Sequence, residues 1–185
     1  MNTPVVIVII VAIIVVVAAV LFALWGARRR RRARVQQRFG PEYEREVQAR
    51  GSARDAEQYL GGVADRRDRL DIRELEPAAR DRYTRRWDDV QADFVNRPGP
   101  ALDDADRLVT DVMQDRGYPV EDFGERAELL SADYPEIVAQ YRAAHAARQA
   151  HHGPMSADTE ELRQAFVHYR ALFDQLVHRR QDTAR

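Results

Sequence analysis

Five histidines, a cluster of aspartates and a run of arginines are the residues whose types and spacing could do chemistry in this 185-residue chain. His145 falls on the apolar side of a helical pattern, where a hydrogen-bonded core histidine is a better account than a metal ligand. His151 and His152 precede Gly153-Pro154, as solvated turn histidines do. His168 and His178 are ten residues apart, about 15 Å along a helix, too far to share a metal. Asp174 and His178 have the i, i+4 spacing of a surface pair. Neither His-Glu-x-x-His nor the Glu-x-x-His of di-iron bundles is present. Asp103, Asp104 and Asp106 crowd the start of a predicted helix, where the macrodipole favours negative charge, and read as helix-start residues rather than an acid/base pair. There is no cysteine and no Gly-x-Ser-x-Gly nucleophile elbow. Gly61-Gly62 lacks the flanks of a phosphate-binding loop. The expectation is therefore no catalytic, cofactor-binding or metal-ligating residue, no cofactor, and no enzyme.

The arginines lead to a different kind of site. Val5 to Trp25 contains only Val, Ile, Ala, Leu, Phe and Trp, and Arg28, Arg29, Arg30, Arg31, Arg32 and Arg34 follow at once. The run has 21 residues, about 31 Å of helix, which matches a hydrocarbon core of about 30 Å. Backbone groups cannot go unpaired in lipid, so a helix is expected despite the Val/Ile richness. A cleaved signal peptide fits worse, because no charge precedes the run and its apolar core is too long. Trp25 stands where an interfacial aromatic belongs, and the positive-inside rule puts residues 26–185 in the cytoplasm. Trp25 and these six arginines are the expected lipid-contact residues, with stop-transfer as the arginines' primary role. That position also makes stop-transfer a better account of the basic run than nucleic-acid binding.

Composition sharpens this. All 30 carboxylates and 23 of the 29 basic residues follow residue 34, leaving that part at about −7. An acidic domain is a poor general binder of nucleic acid, so none is expected as partner. Every basic residue is Arg and alanine is abundant, the signature of a G+C-rich genome such as an actinobacterium's.

The expected fold is all-α. It comprises a stub at 1–4, a transmembrane helix at 5–25, a basic juxtamembrane segment at 26–34, a charged helical stalk at 35–76, a compact bundle at 77–178 and a tail at 179–185. Gly40-Pro41 breaks the first helix. Ser52 with Asp55 resembles a capping box, and Gly61-Gly62 predicts a kink or break. Tyr83, Trp87, Val90 and Phe94 share one face of a helix from Pro77, and Asn96 to Pro100 stops it. Further helices are expected over 101–116, over 121–130, from Asp133-Tyr134-Pro135 to His151, and from Asp158 to about Arg180. No segment after Trp25 alternates with period two, so no sheet is expected. The predicted core is Tyr83, Trp87, Val90, Phe94, Leu108, Val112, Ile137, Tyr141, Phe166, Tyr169 and Phe173. The Arg116-Gly117-Tyr118-Pro119 turn with Phe123 reads as a rigid inter-helix corner, with a partner-docking loop as its functional alternative.

Phe39-Gly40-Pro41-Glu42-Tyr43, Arg82-Tyr83 with Trp87 and Phe94, Ala105-Asp106-Arg107-Leu108-Val109, Arg116-Gly117-Tyr118-Pro119, Tyr141-Arg142-Ala143-Ala144-His145 and His168-Tyr169-Arg170 resemble a family of uncharacterised actinobacterial proteins. Its members have one N-terminal membrane segment and are described only as secreted or membrane proteins. The resemblance covers most of residues 39–177. It implies one helical domain on a tether, and no activity. Glu76 stands before Pro77 where that family has a Ser-Pro helix start, and Glu is a poor cap.

The functional expectation is a membrane-tethered, non-catalytic interaction or scaffold module, contacting the lipid bilayer and a protein partner. The alternative is a membrane-anchored small-molecule-binding or sensory helical domain, with a cavity near His145 or His168.

Overall fold

The computed structural model describes residues 3–153 and 158–178, together with the backbone but not the side chains of 3–15, Leu24, Ala27, Arg28 and Arg31. The expected tail at 179–185 and the first two residues of the stub lie outside the described residues. The described chain is helical, without strands: α1 Thr3–Phe39, α2 Pro41–Arg50, α3 Ala53–Asp68, α4 Pro77–Phe94, α5 Pro98–Arg116, α6 Phe123–Asp133, α7 Val138–His151 and α8 Thr159–His178. Two compact units follow, Met1–Arg38 and Phe39–Arg185.

The first unit is most of α1. Among the described residues no helix is long and apolar enough to cross a membrane. Eleven residues at the start of the expected span, 5–15, and Leu24 have side chains outside the described ones. The described remainder is apolar on every side. Val16, Val17, Val20, Leu21, Phe22 and Trp25 are all exposed, Phe22 at 73%, and at about 100° per residue they surround the axis.

The second unit begins earlier than the bundle expected at residue 77. Residues 39–68, expected as a stalk, belong to it: Phe39, Tyr43, Ala56, Leu60 and Val63 are buried, and α3 packs on α2 and α6. Local chemistry sets these elements. Gly40 (φ +44°) and Pro41 at N1 restart the chain as α2, and Gly51 (φ +72°) ends it. The Ser52 hydroxyl accepts from the Asp55 N–H at 3.1 Å and donates to the Asp55 carboxylate at 2.8 Å, a cap closed side chain to side chain. There is no break at Gly61-Gly62, since α3 runs through both. Tertiary burial of Ala56, Leu60 and Val63 outweighs roughly 1 kcal/mol per glycine.

The core lies where α8 packs against α4, α5 and α7. Trp87 of α4 stacks on Phe173 at 4.7 Å and meets Phe166 at 5.2 Å. Burying such a ring contributes about 2–3 kcal/mol. Val90, Phe94 and Ile137 of the predicted core are only half-buried at its rim. Of three helix starts, one held and two moved. Glu76 makes no side-chain cap, yet Pro77 still starts α4. α5 begins at Pro98, inside the expected stop, since Pro suits a first turn. α7 begins at Val138, because Tyr134 to Ile137 form a turn in which the Ile137 N–H donates to the Tyr134 carbonyl.

Gly51 and Gly117 both end helices at positive φ, and a methyl group would fit only at the first. A Cβ on Gly51 meets nothing, whereas one on Gly117 would lie 2.5 Å from the Asp71 carbonyl oxygen. Gly51→Ala should cost about 1 kcal/mol from backbone strain alone. Gly117→Ala should cost about 3 kcal/mol or more, because the 71–73 segment must shift. Urea unfolding of the two variants checks the ordering.

Candidate functional site

The second unit contains a buried polar layer that the aspartate pattern foreshadows only in part. α5 presents Asp103, Asp106 and Thr110 at i, i+3 and i+7. α7 presents Tyr141, His145 and Arg148 at i, i+4 and i+7, and His152 follows as its C-terminal cap. Because α5 starts at Pro98, Asp106 lies well inside the helix and is buried rather than set in its first turn. The Tyr169 hydroxyl of α8 donates to Asp106 Oδ1 at 2.9 Å. Arg148 Nε stands 3.5 Å from Asp106 Oδ2 and His145 Nδ1 stands 3.8 Å from Oδ1, ion-pair distances without hydrogen-bond geometry. The Thr110 hydroxyl donates to the Asp106 carbonyl and accepts from Arg126 Nη1, both at 2.8 Å.

A neighbouring pair closes the rim. Arg148 Nη1 donates to Asp103 Oδ1 at 3.2 Å, and His152 Nε2 lies 2.9 Å from the same oxygen. The Phe123 ring lies parallel over His145, 3.6 Å centroid to centroid, and Gln149 lies 3.0 Å from His145 Nε2. Burial pushes the carboxyls of Asp106 and Asp103 up. His145, Arg148 and Tyr169 outweigh it at Asp106, and His152 and Arg148 outweigh it at Asp103, so both titrate below the ordinary carboxylate range. Burial, with Asp106 beside them, raises the Tyr169 and Tyr141 phenols. Tyr141 Oη, His145 Nδ1 and Arg126 Nε are buried without a hydrogen-bond partner.

This arrangement can hold one negative charge in the interior and orient a histidine. It places no serine or thiol beside His145, and Phe123 covers the ring. Among the described residues no three His, Asp or Glu side chains stand close enough to hold a metal ion. The remaining histidines separate. His168 is half-buried and His178 exposed. Asp174 pairs with Arg170 at 3.1 Å rather than with His178. Of the two histidines expected in a solvated turn, His151 is instead the last residue of α7, and its ring fills the space a side chain at Gly99 would need, while His152 is an exposed turn residue that also reaches Asp103.

At the 116–119 turn the two large side chains face inward. Arg116 is fully buried, and its guanidinium donates from Nε to the Arg73 carbonyl at 3.1 Å and from Nη1 to Tyr134 Oη at 2.6 Å and the Leu176 carbonyl at 3.0 Å. Tyr118 is buried, with its hydroxyl on Asp133, which Arg67 Nε also reaches at 2.7 Å. Phe123 is committed to the His145 stack. Beside this corner, Tyr134, Pro135, Glu136, Ile137 and Gln175 line a cleft of about 320 Å³.

Of the expected lipid-contact residues, Trp25, Arg29, Arg30, Arg32 and Arg34 are exposed on α1, while the side chains of Arg28 and Arg31 lie outside the described ones. Arg29 lies over the Trp25 ring at 5.5 Å. No family model, curated protein or solved structure matches the chain.

The Asp106 carboxyl sets a pH dependence. Its folded pKa lies below the unfolded value of about 3.9. Its contribution is therefore full above that value and lost as pH falls through the folded one. Asp106→Asn should cost about 2–3 kcal/mol at pH 7, and the gap to the parent protein should narrow as pH drops towards 3. Urea midpoints at the two pH values measure it.

Proposed function

We propose that this protein is a single-pass, membrane-tethered, non-catalytic interaction module, its acidic helical domain presented on the cytoplasmic side to a protein partner. One observation carries the reading: α1 is apolar at every azimuth from Val16 to Trp25 and then turns wholly basic within a few residues. A helix apolar all round is suited to a membrane span, whereas a helix lying on a surface needs one polar face. The uninterrupted Val5–Trp25 run extends the same character over the length a bilayer requires. The interaction role draws support from the candidate site, where the buried carboxylate and histidine are committed to neighbouring helices. A tether raises local concentration at the membrane, so modest contacts suffice.

A second reading, a tethered small-molecule sensor, is favoured by Tyr141 Oη and His145 Nδ1, which are buried with no partner. Native mass spectrometry of the intact protein should then find a retained small molecule that Tyr141→Phe loses. An unliganded mass in the parent protein removes this reading.

For the tether, the full chain should stay with membranes through alkaline carbonate extraction, and a C-terminal reporter active only in the cytoplasm should be on. Release into the supernatant refutes the span. An inactive reporter on a membrane-retained protein refutes the orientation.

A further inference from the structure

We infer that the arginine collar behind Trp25 is a binding site for anionic phospholipid headgroups, selecting them from a mixed bilayer rather than merely stopping the helix. The inference rests on the tether reading above and goes beyond it, since a stop signal needs charge but no lipid preference.

The collar's geometry supports it. Arg29, Arg30, Arg32 and Arg34 are all exposed. At about 100° per residue they stand roughly 40°, 140°, 340° and 180° round the axis from Trp25. Arg28 and Arg31 occupy register positions at about 300° and 240°. A helix lying in the interface carries its cations on one polar face. A ring of cations fits a helix standing through the bilayer, which meets headgroups on every side. α1 itself contains no Asp or Glu.

Trp25 fixes the depth. It is 57% exposed, ends the apolar run, and has the Arg29 guanidinium 5.5 Å from its ring centroid. An indole at the interface with a cation on its face holds that cation at headgroup level. There a guanidinium fork matches the paired oxygens of a phosphodiester. The chemistry recognised is thus a phosphate monoanion fixed in a surface, and a lipid with a neutral headgroup supplies it without net charge.

The test uses Trp25 as its own reporter. The full chain is reconstituted in phosphatidylcholine vesicles holding a minor fraction of phosphatidylglycerol, with bromine on the acyl chains of one lipid or the other. A Trp25→Phe protein supplies the Trp87 signal to be subtracted. Brominated phosphatidylglycerol should quench Trp25 about two- to threefold more per mole than brominated phosphatidylcholine, given the attraction of each arginine to an anionic surface. The ratio should fall to about one in a variant carrying Arg29→Gln, Arg30→Gln, Arg32→Gln and Arg34→Gln, which keeps Arg28 and Arg31 as a stop signal. Equal quenching by both lipids in the parent protein overturns the inference and leaves the tether standing. Absence of quenching by either lipid overturns both.

Discussion

A fully buried guanidinium holds the helical domain's geometry to account. Removing Arg116 from water costs several kcal/mol after relaxation, and its described hydrogen bonds go to neutral acceptors: two backbone carbonyls and the Tyr134 phenol. One helix end offsets part of the cost. Arg116 is itself the last residue of α5, whose terminal carbonyls lack intrahelical partners. The negative end of that helix therefore lies beside the cation. The 71–73 segment closes the arrangement, since the Arg73 N–H donates to the Arg116 carbonyl at 2.9 Å. Arg73 and Arg116 thus hold each other from both sides, and Gly117 must be glycine because Asp71 already fills the space beside it.

The polar layer at Asp106 solves the opposite problem of burying an anion. Its carboxylate has a phenol within hydrogen-bond reach and a guanidinium and an imidazole slightly farther off, each on a neighbouring helix. Such a layer specifies which helix faces which, because a slip of one turn would strand the charge. The core around Trp87 supplies most of the burial, and an apolar core alone tolerates several registers. Arg116 at the C-terminal end of α5 and Asp106 near its middle restrict it to one.

The all-helical class was legible from periodicity, as were the positions of Tyr83, Trp87, Leu108, Val112, Tyr141, Phe166, Tyr169 and Phe173, because a 3.6-residue apolar stripe has few alternatives. Val90 and Phe94 lie on the same stripe yet reach only the rim, since how far a neighbouring helix extends is not a local property. The charge-rich segment 42–68 looked like a stalk because acids and arginines are normally solvated. Glu42 and Glu46 are instead buried under Arg45, Arg50 and Arg142, and the last of these lies a hundred residues away. The Asp106 layer had a local signal, Tyr141, His145, Arg148 and His152 at helical spacing. His145 was legible as a hydrogen-bonded core histidine, but the acid it faces lies on another helix, and only the packing of α5 against α7 brings the two together.

The position of α8 governs the order in which the protein comes into being. It packs against α4, α5 and α7, supplies Phe166 and Phe173 to Trp87 and Tyr169 to Asp106, and offers a carbonyl that accepts a hydrogen bond from Arg116. It is also the last described helix to leave the ribosome. Synthesis at about 5–20 residues per second separates α1 from α8 by many seconds. Throughout that interval α4, α5 and α7 are without the surface that completes them. The apolar leading helix is therefore already clear of the ribosome while the domain behind it is unfinished, and the core closes only once α8 has emerged.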